Sequence, residues 1–384
     1  MRFCCLLLSN KTRLKPSDVR IYLLIAITFT LLCFSTSHVN AETANQRPPQ
    51  KKGQVAISHV KSVQNANLKN NVLQSRDSLF ALSKLTPKAF LLVGNTGLAA
   101  IASNDHVVNK IKLPTSLNLL SAHTTQSAKV LVGAEQGKLF ISDKSAKQWK
   151  TLTLDTNETI FDFIESPTGE VVLTGTYGLL MASKPPYLQW ESIKLPWATF
   201  LKSAWDEFGE ADPHLYSGCQ NDRGEILVVG EFGLVLRRDL DGVWKKIHGG
   251  SVEPAMYSCV ISPNGQHITV VGQKGLSHSS TDGGVTWGQS EISSGIDLYK
   301  IQNVDGGSII IGDNRTLYVS LNEGVWSCLR FARDMPLGWF VDALVTGESV
   351  IIVGSNGGFK STTLTSLDKA ANEIKDSKEF VSCE

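Results

Sequence analysis

Cysteine is scarce in this chain, with seven in 384 residues, and three of them (Cys4, Cys5 and Cys33) stand near the N-terminus. The other four, Cys219, Cys259, Cys328 and Cys383, are far apart, so no C-x-x-C pair exists. Nor do the eight histidines form an H-x-x-x-H pair, and the ligand spacings of structural or catalytic zinc are missing. No G-x-S-x-G elbow occurs. Gly133-Ala-Glu-Gln-Gly137-Lys138 is one residue short of a phosphate-binding loop and lacks its Ser/Thr. Charge of either sign is not in excess: the formal net charge is +1, and it becomes −3 when residues 1–41 are set aside. A basic stripe for nucleic acid is therefore excluded. No cofactor and no metal site is expected.

Long apolar runs are also rare. The main one, Ile21–Phe34, follows the basic residues Arg13, Lys15 and Arg20 and precedes Val39-Asn40-Ala41, whose residues suit a cleavage site. Fourteen residues are short for a membrane-spanning helix, which needs about 20. Residues 1–41 read as a signal peptide, and the chain is expected to be exported, periplasmic and open to membrane association. Export permits disulfides. Four cysteines allow three pairings. Cys219 and Cys259 occupy similar places in successive repeats, and a Cys328–Cys383 bond would pin the C-terminal tail.

Glycine is plentiful, at 32, and it recurs with a period. Phe90-Leu-Leu-Val-Gly94 is followed by apolar runs ending at Gly133, Gly175, Gly230, Gly272, Gly312 and Gly354, usually with a second glycine after two or three intervening residues. Five of the six intervals are near forty residues, and such a period, with several short strands in each, marks a β-propeller. The predicted fold is all-β: a seven-bladed β-propeller of four-stranded antiparallel blades spanning 75–363, with a short helical insertion. Residues 42–74 read as a flexible segment holding one strand at 54–60, and 364–384 as a C-terminal tail. A ring must join its ends or expose edges, so 54–60 is expected to pair into the last blade; the alternative is Glu379–Ser382.

One interval, Gly175 to Gly230, is longer by 13 residues than the common spacing of 42. Its surplus falls in 197–213, where apolar residues at 197, 200, 201, 204, 205 and 208 suit one helical face. Loops on a rigid scaffold are where binding usually resides. Trp197, Trp205 and Phe208 are therefore candidate partner-binding residues, as are Arg330, Arg333 and Trp339 in a second excursion. First strands carry an aromatic near one position: Phe161, Tyr216, Tyr257, Tyr299 and Phe340. Large aromatics are mostly buried, so these read as interblade packing. Asp162, Ser217, Ser258 and Lys300, which follow the first four, read as channel-facing by strand alternation.

Ser280-x-Asp282-x-Gly284-x-Thr286-Trp287 matches the Asp box, S-x-D-x-G-x-T-W, at the third turn of its blade. Degraded copies stand at Ser142-Asp143 with Trp149, Asp241-Gly242 with Trp244, and Asn322-Glu-Gly324 with Trp326, and Ser183 with Trp190 keeps less. With Thr176-Tyr-Gly-Leu-Leu and Gly230-Glu-Phe-Gly-Leu-Val-Leu, this box resembles the photosystem II stability/assembly-factor family over roughly 75–362. That resemblance implies an exported BNR/Asp-box propeller that binds a membrane protein or membrane complex and has no catalysis. It also implies an association, outside photosynthetic organisms, with exporters of the resistance–nodulation–division (RND) type. The Asp box is structural in families that carry it. Two departures stand out: one intact box survives, and the eight arginines after residue 41 do not reproduce the family's arginine-rich surface. The alternative on this fold is a sialidase-like glycan binder or glycoside hydrolase. That chemistry needs an arginine triad, a Tyr–Glu nucleophile pair and an Asp acid, and the family's N-terminal Phe/Tyr-Arg-Ile-Pro segment is absent.

Overall fold

The apolar runs form the second strand of each sheet. In the computed structural model, which describes residues 57–59, 72–103, 106–210, 212–289, 292, 295–321, 326–330 and 338–376, they are buried on both faces; Phe90 to Val93 are wholly enclosed. Six sheets carry four consecutive strands and the seventh carries three. The fifth blade runs Met256–Ile261, Ile268–Gly272, Ser277–Ser280 and Gly288–Gln289. The first strand of every blade lies against that of the next, and Leu79–Thr86 of the first lies against Phe340–Thr346 of the seventh, so seven blades close a ring. Apolar clusters fill each gap between blades, such as Ile164 and Val172 of the third with Leu215, Ile226 and Val228 of the fourth.

Each apolar run ends in glycine because of a close approach. The backbone there is extended (φ −168° at Gly94) and accessible to any residue. However, a Cβ on Gly94 would lie 1.9 Å from the Ser78 carbonyl oxygen, and one on Gly354 would lie 1.9 Å from that of Trp339. That carbonyl, just before the first strand, accepts a hydrogen bond from the residue after the glycine: Asn95 N to Ser78 O at 3.0 Å and Ser355 N to Trp339 O at 3.1 Å. In the second blade the strand register gives this place to Ala134, not Gly133. The matching bond, Glu135 N to Asn118 O, is stretched to 3.3 Å, as an added methyl requires. The second glycine serves a different need: Thr96–Gly97 and Tyr177–Gly178 are both left-handed (φ 50° and 72°, 48° and 70°), the conformation of a tight hairpin turn.

Ring closure differs from the expectation. Ile57–His59 is a strand, but it runs parallel to Ser327–Arg330 on the outer edge of the sixth blade. The seventh blade stays three-stranded and is covered by a helix, Leu364–Asp376, where a tail was expected. Thr363 caps this helix by accepting from Ser366 N (3.1 Å). Leu364, Leu367 and Ala370 bury against Ile309, Leu329 and Ile352, joining the sixth and seventh blades. With that face covered, the first and seventh blades close through side chains: Leu82 N donates to Asp342 Oδ2 (3.0 Å) and Lys84 Nζ to Thr346 Oγ1 (2.6 Å). The segments 1–41 and 379–382 lie outside the described residues.

A disulfide joins Cys219 and Cys259 on the first strands of the fourth and fifth blades, with Cα atoms 5.8 Å apart. Cys328 is buried and also disulfide-bonded. Cys383, its expected partner, lies outside the described residues.

Candidate binding face

Antiparallel order sends the second turn of each blade, and the link to the next blade, to one face of the ring, and the first and third turns to the other. The insertion therefore shares a face with the Gly-x-x-Gly turns, and the Asp box sits on the opposite face. The insertion forms two short helices, α1 (Trp197–Phe200) and α2 (Lys202–Phe208), broken at Leu201. Trp197, Leu201 and Ala204 are buried, and Trp205 packs partly on the same cluster. Phe208 is different: it is 61% exposed although its ring stacks on Phe232 at 6.3 Å. Of the other candidates, Trp339 stacks on Phe80 at 5.9 Å. Arg330 ends the fourth strand of the sixth blade, and Arg333 lies outside the described residues.

Beside the insertion runs an arc of aromatic rings. Phe161 stacks on Tyr216 (5.7 Å), Tyr216 meets Tyr257 edge-on (5.1 Å), and Tyr257 reaches Tyr299 (5.6 Å), crossing four first strands. All four rings are half-buried, and none belongs to the apolar clusters between blades. The rings do meet across blade boundaries, but on one another and outside those apolar clusters. The cause is a bulge at this residue in each blade, seen as the register shifts Leu215/Ser217 and Met256/Ser258. A bulge suspends the two-residue alternation, so ring and following residue both make contacts across neighbouring first strands. Phe340 is the exception. The register places it one position earlier, opposite Gly354, and it is buried beneath the Arg315 guanidinium, 5.6 Å from the ring centre.

The residues after the arc are polar and linked. Ser217 Oγ donates to Asp162 Oδ2 (2.6 Å). Lys300 Nζ lies 3.7 Å from Asp342 Oδ1. Burial works against the Lys300 charge, but Asp342 and Asp162 outweigh it and hold its pKa above the ordinary value. Burial pushes Asp342 up. The sequence hides Asp342, because Phe340 mimics an arc residue one position early; counting back from Gly354 recovers it.

The arc continues to the insertion. His214 meets Phe161 and Tyr216 edge-on (6.3 and 6.2 Å), and Tyr177 meets His214 at 4.8 Å. The Tyr177 amide donates to His214 Nδ1 (3.1 Å), which ties the turn to the insertion. Tyr177 is 51% exposed. Past it lies a cleft of about 420 Å3 lined by Asp155, Glu158, Tyr177, Lys194, Trp197 and Asp212, among others. Burial raises the Asp212 pKa. Among the described residues, no three metal-ligating side chains are grouped to hold an ion.

The Asp box closes its own turn. Ser280 Oγ accepts from Gly284 N (2.8 Å), Thr286 Oγ1 donates to Asp282 Oδ2 (2.5 Å), and Trp287 Nε1 donates to Gly284 O (3.1 Å). These bonds to Asp282, from the Thr286 hydroxyl above all, lower its pKa to about 2. Two of the degraded copies keep the last lock: Trp149 Nε1 donates to Ala146 O and Trp190 Nε1 to Tyr187 O, both at 3.1 Å. Ala146 and Tyr187 take the left-handed place of Gly284 (φ 52°, 64° and 92°).

Neither a protein-family model nor a curated protein sequence matches the chain. Solved structures do match in fold. YCF48 bound to a D1 peptide superposes with a TM-score of 0.59 at 15% identity, covering 78% of this chain and 98% of that one. YCF48 from Cyanidioschyzon merolae gives 0.58 at 13%, with coverage of 76% and 96%. A catalytically inactive virginiamycin B lyase from Staphylococcus aureus with quinupristin gives 0.64 at 11%, with coverage of 78% and 98%. At these identities the likeness is one of fold.

Proposed function

We propose that this chain is an exported, non-catalytic propeller of the photosystem II assembly-factor type that binds a membrane protein or membrane complex through its insertion face. The observation that carries the reading is the half-buried arc Phe161–Tyr216–Tyr257–Tyr299, continuous with His214, the exposed Tyr177 and the insertion. Rigid aromatic side chains supply large contact area at low entropic cost, and Tyr and Trp are enriched where interfaces concentrate their energy.

The Cys219–Cys259 disulfide suits the oxidising compartment that export implies. YCF48, similar in fold, is seen with a bound D1 peptide, in keeping with a protein segment as ligand here. Arg237 and Arg238 are committed to Glu225 (2.5 Å) and Glu170 (2.7 Å) on the other face, and Arg315 is buried against Phe340. They offer no carboxylate-binding triad for a sialidase-like reaction.

Crosslinking in intact cells followed by identification of co-purified proteins tests the reading. Recovery of a membrane protein, an RND-type exporter included, is expected. Recovery of none, or turnover of a chromogenic glycoside panel abolished by one carboxylate substitution, would overturn it.

A further inference from the structure

The aromatic surface is bordered by carboxylates. Glu231 accepts from His214 N (2.8 Å), Asp297 from Lys274 N (2.8 Å) and Asp313 from Asn314 N (2.9 Å), so backbone donors hold all three beside the arc. Their charges add to burial in raising the tyrosine pKa values: Glu231 acts on Tyr216, Asp297 and Glu231 on Tyr257, and Asp313 and Asp297 on Tyr299. The cleft adds Asp155, Glu158 and Asp212 beside Trp197 and Tyr177. Against these six stand Lys274 at the arc and Lys194 in the cleft. In the channel below, the Lys300 ammonium is matched by Asp342 and Asp162. Ring faces attract cations, and attraction grows where desolvation is partial. Carboxylates at the ring edges act in the same direction and repel anions.

We infer that the insertion face binds a basic segment of its partner, an extended stretch bearing lysine or arginine, with one cationic side chain on the tyrosine arc and another in the cleft beside Trp197. This rests on the binding reading above and specifies its chemistry. Charge complementarity selects this occupant over an acidic or neutral one.

The test is fluorescence anisotropy with the full chain and three labelled peptides of equal length: Lys/Arg-rich, Glu-rich and Ser/Gly-only. The basic peptide is expected to bind, more weakly as salt rises, and the other two not at matched concentration. Glu231→Gln and Asp297→Asn should each weaken it by roughly three- to tenfold, and Tyr257→Ala by tenfold or so. Because a loss could reflect misfolding, Lys274→Glu provides a gain: it should tighten the basic peptide several-fold. If the acidic or neutral peptide binds at least as well and Tyr257→Ala abolishes it, the charge inference is overturned and the binding reading stands. Self-association of the chain lost in Tyr257→Ala would also overturn it, by naming a second copy as occupant. If no peptide binds and no partner crosslinks, both fail.

Discussion

The two faces of the ring are built on opposite terms. On the Asp-box face, charge is consumed internally. Arg237 joins Glu225 and the Gly283 carbonyl (2.8 Å). Arg238 joins Glu170 across a blade boundary, and Glu165 takes up His123 Nε2 (2.9 Å) and the Gln126 amide (3.0 Å). On the insertion face, half-buried rings stand beside carboxylates held by backbone amides, with Lys274 and Lys194 among them. The contrast teaches that one face holds blades together while the other keeps its polar and aromatic groups for something else.

Three changes should break that contrast, and a fourth should leave it intact. Replacing both Cys219 and Cys259 with serine removes the cross-link closing 40 residues of chain. The loop-entropy estimate for this is about 4 kcal/mol, read by denaturant unfolding of oxidised protein. Arg237→Met strands the buried Glu225 carboxylate and should cost about 3 kcal/mol, with peptide binding unchanged. The Asp282 carboxylate, with a folded pKa of about 2 against an ordinary 3.8, stabilises the fold above pH 4 or so, and this contribution is lost as pH falls toward 2. Asp282→Asn should flatten that part of the melting temperature–pH curve. Phe208→Ala, at a residue 61% exposed, should change stability by less than about 0.5 kcal/mol while weakening partner binding. A large stability loss there would erase the distinction between faces.

The repeats were legible because their physics is local and recurrent. An apolar run buried on both faces, a glycine where a carbonyl approaches, and a left-handed turn recur in blade after blade. Hence the seven blades and the Asp-box turn could be read directly. Ring closure was not, because it depends on which surface remains uncovered. Leu364, Leu367 and Ala370 bury the flank of the seventh blade, and nothing in the spacing of Ile57–His59 says that it joins the sixth. The aromatic arc is visible as a pattern, but its continuity across four blades is not, because a one-residue bulge suspends the alternation on which side assignment rests. Glu231, Asp297 and Asp313 carry no pattern of their own. Their meaning comes from the backbone donors and tyrosines they meet.

The most direct measurement is site-specific photo-crosslinking in intact cells, with a photoreactive amino acid at Phe208 on the insertion face or at Val285, 81% exposed on the Asp-box face. The account predicts a membrane-protein adduct from position 208 and none from 285. An adduct from 285 alone, or equal adducts from both, would contradict it.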